Sequence, residues 1–299
     1  MQLPILPGMT SWFVCLAALS LLGLSMGMRL GRGPRWRAVL WLGVATAFMM
    51  WWVVLIKQPA AAVRVLPVEL LSRLEGVGGV PAYMLICGLV WGLARLPRQK
   101  RLALWAAGLG AVFLVNGAMW MLQSPPPASN FDHENRNVVL QSQDFSCVPA
   151  ACATALNRIG HPTDEATMAR LTQTRAGTGS TLLRAMDGLR QRLAGTPHRV
   201  DLVAPTYEEL QRLPMPALTP LQFEASRRHM VTILRVKPQD VMLVDPMHGT
   251  LLMQREEFIR AYRRQVLIFE PTGNVLPPRL ADSSPPTVAA AHVGGEASR

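Results

Sequence analysis

Acidic residues are almost missing from the first 129 positions, where Glu69 and Glu75 stand against eleven lysines and arginines. The chain has 299 residues and a net charge of +11, and positions 130–275 hold 17 basic and 15 acidic residues, so the surplus belongs to the hydrophobic first part. Basic residues confined to short segments between apolar runs mark membrane topology and argue against nucleic-acid binding. Cysteine is scarce too. Cys15, Cys87, Cys147 and Cys152 are the full set, and the first two fall inside apolar runs. That excludes a disulfide framework, and no Cys/His spacing matches a zinc site. Gly177-Thr178-Gly179-Ser180-Thr181 lacks the lysine of a phosphate loop and follows no strand, so it is assigned to helix initiation rather than nucleotide binding. No cofactor and no metal centre is expected, and Asp132-His133-Glu134 reads as a solvated linker cluster.

What the sequence has in abundance is apolar surface: half of its residues are hydrophobic. Residues 12–28, 38–56, about 77–94 and 102–122 predict four transmembrane helices, the first without the basic flank of a signal peptide and therefore retained. Trp51 and Trp52 suit an interface, and Asn116 is expected to bond a neighbouring helix. Arg29, Arg32, Arg35 and Arg37 separate the first two spans, and Arg95, Arg98, Lys100 and Arg101 separate the last two. Both loops are expected in the cytoplasm. An even number of spans then makes this a multi-pass protein of the inner (cell) membrane, with everything after residue 122 on the periplasmic or extracellular side.

The expected domains are a four-span region at 1–123, a Pro-rich linker at 124–137, a soluble domain at 138–275 and a disordered tail at 276–299. The soluble domain is organised around residues 141–152, a polar loop that runs into a helix. Ser146 suits the N-cap, Pro149 the first turn, and Cys147 opens the helix. There the helix dipole favours a thiolate, while Cys152 lies further inside and faces elsewhere. Gly160 ends that helix, and further helices are expected over 164–172 and 182–193, with a short one capped by Thr206 and Glu209. Short β-rich runs follow at 200–203, 217–223, 229–236, 241–244 and 265–269. The turn at 237–240 makes the third and fourth an antiparallel hairpin, with His229 and Asp245 at its open end. Helices first and an antiparallel sheet afterwards give an α+β domain.

A thiol protease needs a thiolate at a helix start, a histidine to pair with it, a group to orient that histidine and a donor for the oxyanion. Cys147, His229, Asp245 and Gln141 stand in an order that supplies them. Gln143 competes with Gln141, and His248 with His229. Gln141-x5-Cys147-x-Pro149-Ala150, Gly177-Thr178, His229-Met230-Val231 and Val244-Asp245-Pro246-x2-Gly249 together resemble the double-glycine leader peptidase domain of bacteriocin-exporting ABC transporters. The resemblance covers about 138–271. It implies a papain-like cysteine peptidase fold, with Cys147 as nucleophile, His229 as general base and acid, Asp245 orienting His229, and Gln141 with the Cys147 backbone N–H forming the oxyanion hole. Three departures stand beside it: Val148 occupies a position where the family usually has glycine, no ATP-binding cassette motif occurs in the chain, and the domain follows membrane spans rather than preceding them. The expected activity is cleavage of exported peptides or proteins, with a peptide or protein substrate, export machinery as a partner and no nucleic acid. Two other readings remain open: a silent module that grips leader-type peptides for a membrane partner, and a channel or scaffold formed by the spans, against which their lack of ionisable residues speaks.

Overall fold

The computed structural model describes residues 9–118, 137–223 and 228–272. The linker as far as residue 136, the Asp132-His133-Glu134 cluster and the tail at 276–299 lie outside the described residues. α1 (Met9–Gly31) and α2 (Arg35–Lys57) are the two helices, among the described residues, long and apolar enough to cross a membrane. Two seven-residue helices follow, α3 (Pro59–Val65) and α4 (Val68–Leu74), each started by a proline at or just before its first residue. α5 (Val80–Leu93) is apolar but spans 14 residues, and α6 (Pro97–Ala118) spans 22 and opens with Arg98, Lys100 and Arg101. Asn116 is exposed rather than turned onto a neighbouring helix.

α1 and α5 cross with almost no space between their backbones. A Cβ built on Gly27 would stand 2.4 Å from the Leu85 carbonyl oxygen, and one on Gly88 would stand 2.2 Å from that of Leu24. The two basic loops meet at one end of the bundle, where Arg32 and Lys100 lie over the Trp91 ring at 4.9 and 5.1 Å from its centroid.

The second half is α+β. α7 (Cys147–Arg158), α8 (Glu165–Leu171) and α9 (Leu182–Leu193) precede β1 (His198–Val203), the short α10 (Tyr207–Leu210), β2 (Ala217–Leu221), β3 (His229–Val236), β4 (Asp240–Asp245), β5 (Gly249–Gln254), α11 (Arg255–Ala261) and β6 (Val266–Pro271). The strands form one antiparallel sheet in the order β1-β6-β2-β3-β4-β5. One face packs on α7 and α9 through Val200, Leu218 and Met230. The other packs on α10 and α11 through Val231, Ile233 and Ile268. Alternate residues of β3 thus serve opposite layers, as the two-residue period of a strand requires.

The predicted caps at Thr206 and Gly160 form. Thr206 and Glu209 make a reciprocal capping box. Gly160 takes φ +83°, and the N–H of His161 reaches back to the Leu156 carbonyl at 2.9 Å, which closes α7 in a left-handed turn. Ser146 differs from expectation. It stands at the N-cap of α7, but its hydroxyl donates to the Gln143 carbonyl at 2.8 Å and caps nothing. β5 was not expected, because this edge strand exposes most of its residues and shows no alternation.

Candidate active site

α7 is buried along nearly its whole length, from Val148 to Leu156. Ala150, Ala151, Ala153 and Ala155 are all within 1 % of full burial, so the helix axis can approach the sheet closely. Thr232 of β3 fixes the distance by donating its hydroxyl to the Ala151 carbonyl at 3.0 Å. Cys147, the first residue of α7, is thereby brought against the start of β3. The β3–β4 hairpin pairs Thr232 with Val244, which sets His229 and Asp245 at the same end of the sheet.

His229 Nε2 and Asp245 Oδ1 are 2.9 Å apart, with side chains 17 % and 13 % exposed. The same histidine hydrogen-bonds Cys147. Since Nε2 is taken by the carboxylate, Nδ1 is the ring atom left for the thiol. Burial pushes Cys147 up, but hydrogen bonds from His229 and from the backbone N–H groups of Met230 and Val148 outweigh it, and the thiol lies below its ordinary value. Burial works against a charged His229, yet its bonds to Asp245 and Cys147 push it up to about 9. Asp245 is raised by burial but held down at about 2 by His229 and by the Met247 N–H, which reaches it at 2.7 Å. The arrangement favours a thiolate beside an imidazolium, held by a carboxylate.

The four sequence-predicted residues are not equally engaged. Cys147, His229 and Asp245 are joined by hydrogen bonds. Gln141 lies on the loop that precedes α7, tied to the turn after β4 by its N–H to the Pro246 carbonyl at 2.8 Å. Its Nε2 donates to the Gln143 carbonyl at 3.0 Å, which uses one of two N–H bonds, and its buried Oε1 has no partner among the described residues. Gln143 is exposed. His248 is exposed as well, 61 % by side chain, with Nδ1 3.5 Å from Asp245 Oδ1. It touches the carboxylate from the solvent side, whereas His229 alone reaches the thiol. Cys152 is fully buried, and burial drives its thiol far up, so it is inert beside Cys147.

Two contributors escaped sequence reasoning. The Met230 N–H on the Cys147 sulfur is a backbone group, which no side-chain pattern marks. The second is the wall of the cleft onto which Cys147 opens, a space of about 1180 Å³. One side is the 177–181 run, in which Gly179 takes φ +71° and a Cβ would stand 2.9 Å from the Phe145 carbonyl oxygen. This run also starts α9, whose N-cap is Thr181, so it does more than helix initiation. Further lining comes from the first half of the chain: Ile56, Lys57, Pro59 and Glu75. Glu75 accepts a hydrogen bond from the Thr181 hydroxyl, and the Ser72 hydroxyl donates to the buried Asp187 carboxylate at 2.6 Å.

Residues 135–274 match the family model described as "Peptidase C39 family". An uncharacterised protein of Methanothermobacter thermautotrophicus (strain Delta H) is 30 % identical over 137 residues, which cover 44 % of this chain and 87 % of that protein. Among solved structures, the chain is similar to the peptidase domain of Streptococcus ComA, a bi-functional ABC transporter involved in a quorum-sensing pathway, at 18 % identity and TM-score 0.40 over 44 % of this chain and 96 % of that one. It is also similar to a double glycine motif protease from an AMS/PCAT transporter in complex with the leader peptide, at 19 % identity and TM-score 0.38 over 50 % of this chain and 96 % of that one.

Proposed function

The chain belongs to the peptidase C39 family of papain-like cysteine peptidases through residues 135–274, and from that premise we propose that it is a membrane-anchored cysteine endopeptidase that cleaves exported peptides or proteins. The observation that carries this reading is the unbroken chain of hydrogen bonds from Cys147 through His229 to Asp245. In this reading the Cys147 thiolate adds to the scissile carbonyl carbon, and the electron pair moves onto the oxygen, held by the Cys147 N–H and the free N–H of Gln141. The imidazolium of His229 gives its proton to the leaving amine as the C–N bond breaks. A water then loses a proton to His229 and attacks the thioester, which releases the acid and restores the thiolate. Asp245 keeps the ring oriented throughout and favours its charged form whenever the proton is back on it.

The proposed division is 1–123 for four membrane helices, 124–137 for the linker, 138–275 for the peptidase domain and 276–299 for the tail. Same-side placement of the α3–α4 segment and the peptidase domain is supported by the Ser72–Asp187 and Glu75–Thr181 bonds. It is supported again at the end of α6, where the Gly117 carbonyl accepts a bond from Arg175 at 3.0 Å. Two crossings between residues 76 and 137 satisfy that arrangement, with the basic loops around Trp91 on the cytoplasmic side.

One observation favours a second reading, a module that grips leader-type peptides without cutting them: the Gln141 amide is turned onto its own loop. The two part in a single experiment. Outward-facing vesicles are treated with a membrane-impermeant peptidyl electrophile, and wild type is compared with Cys147→Ala and His229→Ala. The peptidase reading expects labelling of intact vesicles that vanishes in Cys147→Ala and slows about 10²–10⁴-fold in His229→Ala. Labelling only after the membrane is opened would reverse the topology, and a folded protein that never labels would leave the binding module.

A further inference from the structure

A second cavity lies among the helices of the first half. It is a groove of about 520 Å³ between α2 and α6 with α5 as its floor, walled by Trp52, Val53, Tyr83, Leu109 and Phe113. Leu109 and Phe113 are 66 % and 63 % exposed, so the groove opens sideways, toward whatever surrounds the helices. Lys57 is its one charged residue, at the last position of α2. Ile56 and Lys57 also line the cleft that holds Cys147, so the apolar groove and the polar cleft meet at the end of α2.

We propose that the groove between α2, α5 and α6 binds an apolar membrane-spanning helix of the substrate and delivers the polar segment next to it to Cys147. This rests on the peptidase reading and names its substrate class: a peptide or protein still embedded in the bilayer, cut just outside it. An apolar helical face suits a groove whose walls are apolar apart from Lys57 at its end, with the Tyr83 hydroxyl already donating to the Ala106 carbonyl, because in a bilayer helix association is carried by packing of small and apolar residues. Continuity decides between occupants. A lipid chain would fill the groove but has no reason to reach a nucleophile, whereas a polypeptide that leaves the groove past Ile56 enters the cleft directly. Lys57 sits at the changeover and lines both spaces.

Gly79 offers a way to close the groove. It lines it, its φ of −80° is open to any residue, and a Cβ there would meet only the Trp52 ring at 3.6 Å. The test uses the full chain in lipid vesicles and three peptidyl chloromethyl ketones, each of which forms a C–S bond with Cys147 as chloride leaves. One carries an N-terminal Leu/Ala helix of about 20 residues, one a palmitoyl chain and one neither. Both tethers concentrate the electrophile at the membrane, so the helix-to-palmitoyl rate ratio isolates the groove. That ratio is expected to be about tenfold or more in wild type and to fall to about one in Gly79→Leu. Equal rates for the two tethered probes in wild type would overturn the proposal, and so would a Gly79→Leu variant that slows only the palmitoyl probe. Independently, photoreactive p-benzoylphenylalanine in place of Phe113 is expected to crosslink the helix probe. Crosslinks solely to lipid or within the same chain would refute the proposed occupant. If no probe labels Cys147 while Phe113 crosslinks the helix probe, the peptidase reading falls and the groove's occupant stands.

Discussion

Burial alone would raise the Cys147 thiol, and it is the bonds from His229, Met230 and Val148 that reverse the sign. The same competition acts on His229, where Asp245 leads the groups that overcome burial. Replacing Asp245 by asparagine removes that charge, so the falling limb of the pH–activity profile, set near 9 by His229, is expected to move toward the ordinary histidine range in Asp245→Asn. A limb that stays near 9 in steady-state peptide hydrolysis would mean that Asp245 does not hold His229 charged. Stability follows with opposite signs for the two partners. His229 is raised, so its contribution is complete below about 6.5 and is lost as pH climbs through about 9. Asp245 is depressed, so its contribution is complete above about 4 and is lost as pH falls through about 2. The difference in unfolding midpoint between wild type and Asp245→Asn is therefore expected to be largest between about pH 4 and 6.5. From the Asp245 side it is on the order of 2 kcal/mol, and the larger shift of His229 also contains its bond to Cys147. The three joined residues were legible because each is bound to a local signal: Cys147 to a helix start, His229 and Asp245 to the two arms of one hairpin. Gln141 was legible as a position, but the direction of its amide is fixed by Gln143 and Pro246, and no sequence pattern encodes that.

The elements show which signals survive translation into structure. α9 occupies residues 182–193 as read, because its apolar positions repeat at the helical period and Thr181 accepts the N–H of Arg184 at its start. The β3–β4 hairpin forms as its turn requires. α3 and α4 went unread because seven residues between prolines are shorter than any periodic window can resolve. The tight crossing of α1 and α5 is a different case. Gly23, Gly27 and Gly31 stand four apart, as do Gly88 and Gly92, but the spacing acquires meaning only when the two faces are known to meet. A leucine at Gly27 would drive its side chain into the backbone of residues 85–89. Gly27→Leu is expected to cost on the order of 1–3 kcal/mol or more, seen as a lower thermal midpoint in detergent. Gly43→Leu, on α2 with nothing within 4 Å of its Cβ, should change stability by about 0.5 kcal/mol or less. Equal effects from the two variants would mean that α1 and α5 do not make this contact.

On the scale of the whole molecule, the two halves of the sequence are not separate bodies joined by a linker. Val68 and Leu71 of α4 share one core with Leu183 and Met186 of α9, and Arg184 is buried in the same contact, its guanidinium directed at the Ser72 and Glu75 carbonyls. The sequence read as a membrane region followed by a soluble domain, because apolar periodicity and charge are local properties, while a core shared by residues 115 positions apart is not. That shared core constrains topology more tightly than the charge rule does. α2 is 23 residues long, about 35 Å of helix axis, and it starts at the basic loop and ends at the cleft. If α2 crosses the bilayer, the Arg29–Arg37 loop and the Cys147 cleft must lie on opposite sides, and so must the start of α6. Single cysteines at Gln99 and at Thr250, both exposed, placed in a background with Cys15, Cys87, Cys147 and Cys152 all replaced by alanine, test this directly. In outward-facing vesicles a membrane-impermeant maleimide is expected to label Thr250→Cys at once and Gln99→Cys only after the membrane is opened. Labelling of both before opening would show that α2 and α5 do not span, and the groove between them would then face water rather than lipid.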